Sequence, residues 1–201
     1  MEKKVEVLNR YNKSIFTLSN KLMNCWRTLN IIKRINELAK NQSCLLEEFE
    51  YLFLYLYNMS NEYVFLNFTN IVVHDRESIS IHYLSQFYNS EARRYFSMDQ
   101  DKKLSDLFTE LTAHYSSNSQ IINNLRLIRD KSIAHIDKKQ LFSPNLGFSK
   151  ITYKELDDEL SFCWDKLHAI SDYSGLGTEF LESLYYLGFD LDIGKLESLL
   201  G

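Results

Sequence analysis

Apolar residues recur at three- and four-residue steps along most of this 201-residue chain, which is the spacing of one face of an α-helix. The first such region covers residues 4–40. Its apolar positions are Val5, Leu8, Tyr11, Ile15, Leu18 and Leu22, followed by Trp26, Leu29, Ile32 and Ile35. The pattern predicts one long helix or two helices in series, ending at the polar run 41–43.

The same spacing predicts five further helices. We expect them at 45–73, from Ser78 or Ser80 through Tyr88, at 99–115, at 120–137, and from Thr152 to Ser174. The second segment is rich in Tyr, Phe and Val, so it also suits a buried strand. Its length and its weak turn signals favour a helix, with Ser43 as the cap.

Polar and turn-forming runs separate these helices. They are the charged run 74–77, the polar run 116–120 and the run 142–149, which contains both Pro and Gly. The last 24 residues or so carry two short amphipathic pieces. We therefore expect one helical domain over 1–177 and a short helical tail over 178–201, packed on that domain or on a partner.

Turn-forming residues are scarce, with six Gly and one Pro, and none of them precedes Pro144. A sheet protein needs a turn every roughly 8–12 residues, and turns use Gly and Pro. The composition therefore favours an all-α fold. Hydrophobic residues make up 45% of the chain, which is enough to build a core at this length.

Charge and composition exclude several classes of protein. The formal net charge of −4 gives no whole-molecule attraction to nucleic acid, so RNA binding would need a local basic patch. The three Cys are far apart and lack metal-ligand spacing, and no Gly-rich phosphate loop is present. Glutamates within 47–50 interrupt the most apolar stretch, and no signal peptide is apparent. We expect a cytoplasmic protein without membrane contact, metal or cofactor.

Two polar residues interrupt the apolar pattern of the helix predicted at 120–137. With about 100° of rotation per residue, Ile122, Leu125, Ile133 and Ile136 form one stripe, and Arg129 lies in its middle. Ile121 and Ile128 form an adjoining stripe, which His135 continues. Each of the two polar residues therefore stands where the pattern expects an apolar one.

Arg129 and His135 together suit cleavage of RNA without a metal. A His with an ordinary pKa near ~6.5 both accepts and donates a proton at cellular pH. The planar guanidinium of Arg offers several donors to phosphate oxygens. This pair fits attack of a ribose 2′-OH on the neighbouring 3′-phosphate.

A single helix does not point both side chains at one spot, because six residues correspond to about 120° of rotation. A two-fold dimer that apposes this helix with its mate would bring two Arg and two His into one cleft. Two adjoining apolar stripes also exceed what one internal packing face needs. We therefore expect a homodimer with residues 121–136 near the two-fold axis.

Spacing alone leaves a structural interpretation open, in which Arg129 is salt-bridged to an Asp and His135 is hydrogen-bonded near a helix end. The full run LRLIRDKSIAHIDKK favours a functional interpretation instead. It resembles the signature of HEPN domains, where an Arg followed directly by a polar residue precedes a His by a few residues. With Asp130 as the polar residue, the run looks most like the abortive-infection AbiU-type HEPN proteins of bacteria. The stretch 65–84 and the final helix extend this similarity over roughly residues 5–175.

The resemblance implies a HEPN-type helical bundle that dimerises through a long motif helix. It also implies metal-independent ribonuclease activity in phage defence or toxin–antitoxin systems, with Arg129 and His135 as the catalytic pair and Asp130 between them. HEPN toxins that are neutralised by a nucleotidyltransferase often carry a Tyr two residues after the His. This chain has Asp137 there, which does not fit that mode of neutralisation.

Other charged residues are weaker candidates. A basic cluster around the motif would hold an RNA backbone, and its members are Arg126, Lys131, Lys138 and Lys139. Arg93 and Arg94, followed by two aromatic residues, suggest either a second RNA contact or a structural role. For His114 and His168, the sequence identifies no carboxylate partner.

Two functions remain open at this point. The first is an endoribonuclease acting as a homodimer on tRNA or mRNA, controlled by an antitoxin or another defence-system partner. The second is a non-catalytic HEPN module that binds RNA or a nucleotide, or that acts as a scaffold in a defence complex. Cleavage of total RNA in EDTA by the wild type and by the Arg129 and His135 variants distinguishes them.

Overall fold

Helices account for all the regular secondary structure in the computed structural model, which describes residues 2–41, 49–73, 78–116, 119–134 and 151–176. In chain order they are α1 (Glu2–Lys40), α2 (Glu50–Val72), α3 (Ile81–Phe87), α4 (Met98–His114), α5 (Gln120–Ala134) and α6 (Tyr153–Tyr173). A π-helical turn (Tyr88–Ala92) and a 3-10 turn (Arg93–Tyr95) join α3 to α4. Of residues 130–134, only the helical backbone is described. The all-α prediction is confirmed.

The first two helices decide between the alternatives left open by the sequence. α1 is one continuous helix of 39 residues and not two helices in series. α2 is a helix and not a buried strand. Its first residue follows Phe49, which gives no side-chain cap, and the predicted cap Ser43 lies outside the described residues.

Three predicted helix boundaries are confirmed by their capping residues. The Ser80 hydroxyl accepts a hydrogen bond from the backbone N–H of Tyr83 at the start of α3. Thr152 and Glu155 form a reciprocal capping box at the start of α6. Just after α6, Gly175 has a φ of +76°, the left-handed conformation that terminates helices and that glycine adopts without strain.

The start of α4 shows a signal that the sequence analysis missed. Ser97 and Gln100 form a second capping box there, with the Ser97 side chain bound to the Gln100 backbone and the Gln100 side chain bound to the Ser97 backbone. The pattern S-x-x-Q before an apolar run is a recognised N-terminal signature. It places the helix start at Met98, one residue before the predicted position.

Three predicted features lie outside the described residues. They are the charged run 74–77, the loop at 142–149 and the tail 178–201. The division of the chain near residue 177 therefore stays a prediction.

α1 lies at the centre of the bundle. It packs against α2 along one side and α6 along another, and it also touches α3 and the π-helical turn. α4 packs on α6, and α5 packs on α2. The fully buried large side chains of α1 follow the predicted stripe and include Tyr11, Ile15, Leu18, Leu22, Leu29 and Ile32. Each such aliphatic side chain contributes about 1.5–3 kcal/mol by leaving water.

Polar contacts fix the start of α6 against α1 and α2. The indole Nε1 of Trp26 donates to Asp157 Oδ1 at 2.9 Å, and Lys33 Nζ lies 2.8 Å from Asp157 Oδ2. The Tyr153 hydroxyl donates to Asn61 Oδ1 of α2 at 2.9 Å. Apart from the buried Asn61, these groups are half-buried, so their main effect is to fix the register of three helices rather than to add much stability.

Tyr115, which directly follows α4, connects three parts of the core. Its hydroxyl donates to the backbone carbonyl of Glu159 at 3.2 Å, and its ring meets the ring of Phe68 edge-on with 6.3 Å between centroids. Burial raises the pKa of the Tyr115 hydroxyl well above its ordinary value. The folded protein therefore holds this proton at a pH where the unfolded chain releases it.

Replacing this hydroxyl should change how stability depends on pH. Because the pKa is raised in the folded state, the stabilisation is present below about pH 10 and is lost as the pH rises further. One such tyrosine lowers the free energy of unfolding by about 1.4 kcal/mol per pH unit above that point. Tyr115→Phe should make this fall shallower by that amount. Urea unfolding of both proteins at several alkaline pH values measures it, and equal slopes would contradict the assignment.

Candidate functional site

The helix that carries the motif, α5, begins immediately after a short polar connection from α4. The backbone N–H of Asn123 donates to the carbonyl of Ser119 at 3.1 Å, which closes the first helical turn. Gln120 Nε2 donates to Asn124 Oδ1 at 3.1 Å on the exposed side of the same turn. The helix then continues through Ala134, and Arg129 is the tenth of its 15 residues.

The apolar stripes of α5 face the core of the same chain. Ile122, Leu125 and Ile128 are buried, and Ile121 is half-buried and packs against the core. Both stripes are therefore used in internal packing as far as the structure describes them. Leu127 is the one large apolar side chain of the described part of α5 that is exposed. The argument for a dimer from a spare apolar stripe on this helix is thus not supported.

Arg129 occupies the position that the sequence predicted, on the apolar side of α5. It follows Leu125 by four residues and Ile122 by seven, so the three share one side of the helix. Arg129 is half-buried and is engaged by another group of the chain. Burying part of a guanidinium among apolar side chains costs free energy unless a charged or polar group pairs with it.

Arg126 stands next to Arg129 on the same side of the helix and is also half-buried. Residues three apart on a helix have Cβ atoms about 5–6 Å from each other. The two guanidinium groups therefore start from neighbouring positions at the edge of the core. Such a pair suits a phosphate, which accepts two or more charge-assisted hydrogen bonds.

The other predicted site residues are not located by the structure. The side chains of Asp130 and Lys131 are not described, although both lie in α5. His135, Lys138 and Lys139 lie outside the described residues. The geometry between Arg129 and His135 therefore stays a prediction.

A family model described as AbiU2 matches residues 5–172, which covers α2 to α5 in full and all but the outer ends of α1 and α6. The chain belongs to the HEPN_AbiU2 family. This confirms the resemblance found in the sequence and indicates an abortive-infection, HEPN-type protein. No curated protein and no solved structure gives a significant match to the chain.

Arg93 and Arg94, the second RNA contact suggested by the sequence of this HEPN_AbiU2 protein, lie in two different environments. Arg93 forms a two-pronged ion pair with Asp101, with Nε 2.7 Å from Oδ1 and Nη2 2.9 Å from Oδ2. This contact and the hydrogen bond from Tyr88 hold the pKa of Asp101 below its ordinary value. Arg93 thus has a structural role. Arg94 lies over the ring of Tyr95 and lines an open cleft of about 420 Å³ with Arg93.

Two histidines, for which the sequence identified no carboxylate partner, have one in the structure. His114 Nε2 lies 2.8 Å from Glu159 Oε2 on α6, and the His114 ring contacts Phe162 with 4.2 Å between centroids. His168 Nδ1 lies 3.5 Å from Asp172 Oδ2 one turn later on the same helix. The second pair has a visible i,i+4 signal, whereas the first joins residues 45 positions apart and has none.

Among the described residues of this HEPN_AbiU2 chain, no group of three or more His, Cys, Asp or Glu is placed to hold a metal ion. Cys25 and Cys163 are both buried as free thiols, and burial raises the pKa of Cys25 to about 12. These two thiols are packing residues of the core rather than nucleophiles.

Two leucines two positions apart on α5 test how the motif helix is oriented. Leu125 is fully buried, whereas Leu127 is 43% exposed. Leu125→Ala should lower the free energy of unfolding by about 2–5 kcal/mol, because it leaves a cavity in the core. Leu127→Ala should change it by no more than about 0.5 kcal/mol. Urea unfolding monitored by circular dichroism measures both, and equal losses would show that α5 is rotated.

Proposed function

We propose that this HEPN_AbiU2 protein is a metal-independent endoribonuclease that acts as a homodimer on tRNA or mRNA in bacterial phage defence or a toxin–antitoxin system. The observation that carries the proposal is Arg129, a half-buried guanidinium on the apolar side of the motif helix, in a run that resembles the HEPN signature. The adjacent half-buried Arg126 gives this part of α5 a second phosphate-binding group.

The reaction assigns one task to each residue of the motif. His135 takes the proton of the ribose 2′-OH, and the 2′-oxygen attacks the adjacent phosphorus. The bond from phosphorus to the 5′-oxygen of the next nucleotide breaks, and that oxygen receives a proton from the imidazolium of a His135. Arg129 binds the non-bridging oxygens as negative charge develops on them. The products are a 2′,3′-cyclic phosphate and a free 5′-hydroxyl, and Asp130 orients the pair.

A homodimer brings Arg129 and His135 together although they point in different directions on one helix. Because Arg129 and His135 are about 120° apart on an ideal helix, Arg129 of one copy works with His135 of the other. Each dimer then contains two such pairs. An antitoxin or another defence-system protein controls the activity, by a route other than modification of a tyrosine at position 137.

RNA is held by a local basic patch, since the net charge of −4 does not attract it. The patch consists of Arg126, Lys131, Lys138 and Lys139, which flank the cleavage motif. They contact the phosphate backbone and not the bases, so they supply affinity rather than sequence specificity.

The reaction itself is tested on total RNA in the presence of EDTA. Cleavage should persist, leave 2′,3′-cyclic phosphate ends, and stop when the cleaved position is 2′-deoxy, because the nucleophile is then missing. His135→Ala should lower the rate by on the order of 10²–10⁴. Arg129→Lys should also impair cleavage, because a point charge does not reproduce the two-pronged grip.

His168→Ala is the matched control, since it removes a half-exposed His of α6 that lies outside the proposed site. It should cut RNA at the wild-type rate. All variants must keep the wild-type helical spectrum and oligomeric state. Wild-type cleavage by folded His135→Ala would refute the catalytic assignment and favour the non-catalytic RNA- or nucleotide-binding module.

The salt dependence of RNA binding tests the basic patch separately from the chemistry. In the His135→Ala background, which binds without cutting, Arg126→Ala should weaken binding of single-stranded RNA. It should also reduce the slope of log K against log salt by about 0.7, the value of one phosphate contact. Lys102→Ala, an exposed lysine of α4, should leave the slope unchanged. Equal slopes for the Arg126 variant and the wild type would remove Arg126 from the interface.

A further inference from the structure

The open cleft of about 420 Å³ lies between the turns that follow α3 and the start of α4. Its lining includes the apolar side chains of Phe96 and Met98 and the guanidinium of Arg94. Met98 is 87% exposed, and no large hydrophobic side chain among the described residues is more exposed. The volume is at the lower end of the range for binding pockets, roughly 300–1,000 Å³. The cleft therefore offers an apolar contact and a cation to one binding partner.

Arg94 is the arginine of this cleft that has no carboxylate partner among the described residues. The other arginine, Arg93, is held by both carboxylate oxygens of Asp101. The exposed Arg94 guanidinium instead lies over the ring of Tyr95, 5.0 Å from its centroid. A ring contact of this kind leaves the N–H donors of the arginine for a carboxylate.

The end of α6 lies at the same end of the bundle as the cleft. The side-chain amide of Gln100, in the first turn of α4, donates to the backbone carbonyl of Tyr173 at 3.0 Å. The hydroxyl of Ser174 donates to the hydroxyl of Tyr11 at 3.3 Å. The ring of Tyr11 in turn contacts the ring of Phe96, with 5.6 Å between centroids. One side chain, that of Tyr11, therefore separates the end of α6 from the lining of the cleft.

The chain leaves α6 in a turn that directs it back onto the domain. The N–H of Leu176 donates to the carbonyl of Ser171 at 3.2 Å, and the N–H of Gly175 donates to the carbonyl of Asp172 at 2.9 Å. These two bonds are the Schellman pattern, in which the residue after the glycine commonly packs on the helix that ends there. Leu176 accordingly packs against the core. The following segment therefore starts at the surface of the domain, at the end where the cleft lies.

The composition of residues 178–201 fits an apolar cleft with a free cation. Twelve of these 24 residues are hydrophobic, and a segment of this length is too short to bury them on its own. The segment also contains five carboxylates and one lysine, so it holds the whole net charge of −4 and the rest of the chain is neutral. Its first aromatic residue, Phe180, stands between Glu179 and Glu182.

The tail is long enough to reach the cleft. Phe180 follows Ser174 by six residues, and an extended chain of that length covers up to about 20 Å. The path from Ser174 to Phe96 crosses only one tyrosine side chain. Phe180 therefore reaches the cleft with chain to spare.

We propose that the start of the C-terminal tail closes this cleft in the same chain. Phe180 fills the cleft against Met98. The carboxylate of Glu179 or Glu182 pairs with Arg94. The aromatic ring then removes the exposed methionine from water, and the arginine gains the carboxylate that the described residues do not provide.

Closure of the cleft has a consequence for RNA that rests on the proposed function. The sequence suggested Arg93 and Arg94 as a second RNA contact, and Arg93 is already bound to Asp101. When the tail holds Arg94 as well, a carboxylate occupies the place that a phosphate would take. The tail thus competes with RNA for this contact, whereas its position in the cleft does not require that RNA is cut.

Disulfide trapping in the full chain tests where the tail lies. The variant Met98→Cys, Leu181→Cys should form a disulfide within one chain under mild oxidation, seen on a non-reducing gel and as a linked peptide by mass spectrometry. Val5→Cys, Leu181→Cys is the matched control, since Val5 is another exposed apolar residue near this end of the bundle. The first pair should react at least about tenfold faster, because a bound segment has a high effective concentration at its site. Cys44 is replaced by Ser throughout, and the other two native thiols are buried.

Charge reversal tests the ion pair. Adding Arg94→Glu should slow the disulfide at Met98 by about two- to tenfold, the effect of turning one partly exposed attraction into a repulsion. The further change Glu179→Arg, Glu182→Arg should restore the rate. If the chain with Arg94→Glu does not keep the wild-type helical spectrum, the two tail changes alone replace it, and the same slowing is expected.

The outcomes separate this proposal from the other occupants and from the ribonuclease. Equal rates for the Met98 and Val5 pairs overturn it, and so does a disulfide that forms only between two chains. If no disulfide forms within the chain and single-stranded RNA protects Met98→Cys from iodoacetamide, the cleft belongs to RNA instead. A chain that forms the disulfide but does not cleave RNA supports the closed cleft and rejects the ribonuclease.

Discussion

Burial of the apolar stripe of α1 is the interaction on which the rest of the structure depends. α1 contacts α2, α3 and α6, and its buried residues run from Val7 to Leu38 over nearly its whole length. Its contact with α2 is the most extensive one between any two described helices. Most helical stability in proteins comes from packing of the apolar face rather than from propensity, so the folding of α1 and the packing of its partners depend on each other. The half-buried contacts of Asp157 with Trp26 and Lys33 then fix which positions of α6 and α1 meet.

The motif helix is one step removed from this centre, because α5 packs on α2. The position of Arg129 therefore depends on how α2 is held. The second half of α2 is anchored by Phe65 and Phe68 in the core, whereas its first half presents apolar side chains to water.

The fold was largely predictable because its signals are local. The three- and four-residue spacing located α1 and the last helix, which was predicted to begin at Thr152 and does so. Contacts between distant positions had no such signal. The pair of His114 and Glu159 is one example, because nothing near His114 in the sequence indicates a carboxylate on α6.

The candidate site was predictable only in part, for a related reason. The interruption of an apolar stripe identified Arg129, and the structure places this residue on that side of α5. Periodicity shows which sides of a helix are apolar but not what covers them. The two stripes of α5 suggested a surface for a second chain, yet Ile122 and Ile128 pack into the core.

The most direct test of the account is complementation between two inactive chains. Arg129→Ala and His135→Ala copies with different affinity tags are co-expressed, mixed dimers are isolated by sequential purification, and their RNA cleavage is measured in EDTA. If Arg129 of one copy works with His135 of the other, a mixed dimer keeps one intact pair of two and should cut at roughly half the wild-type rate. Mixed dimers that form in full and remain as inactive as either parent would contradict the shared active site.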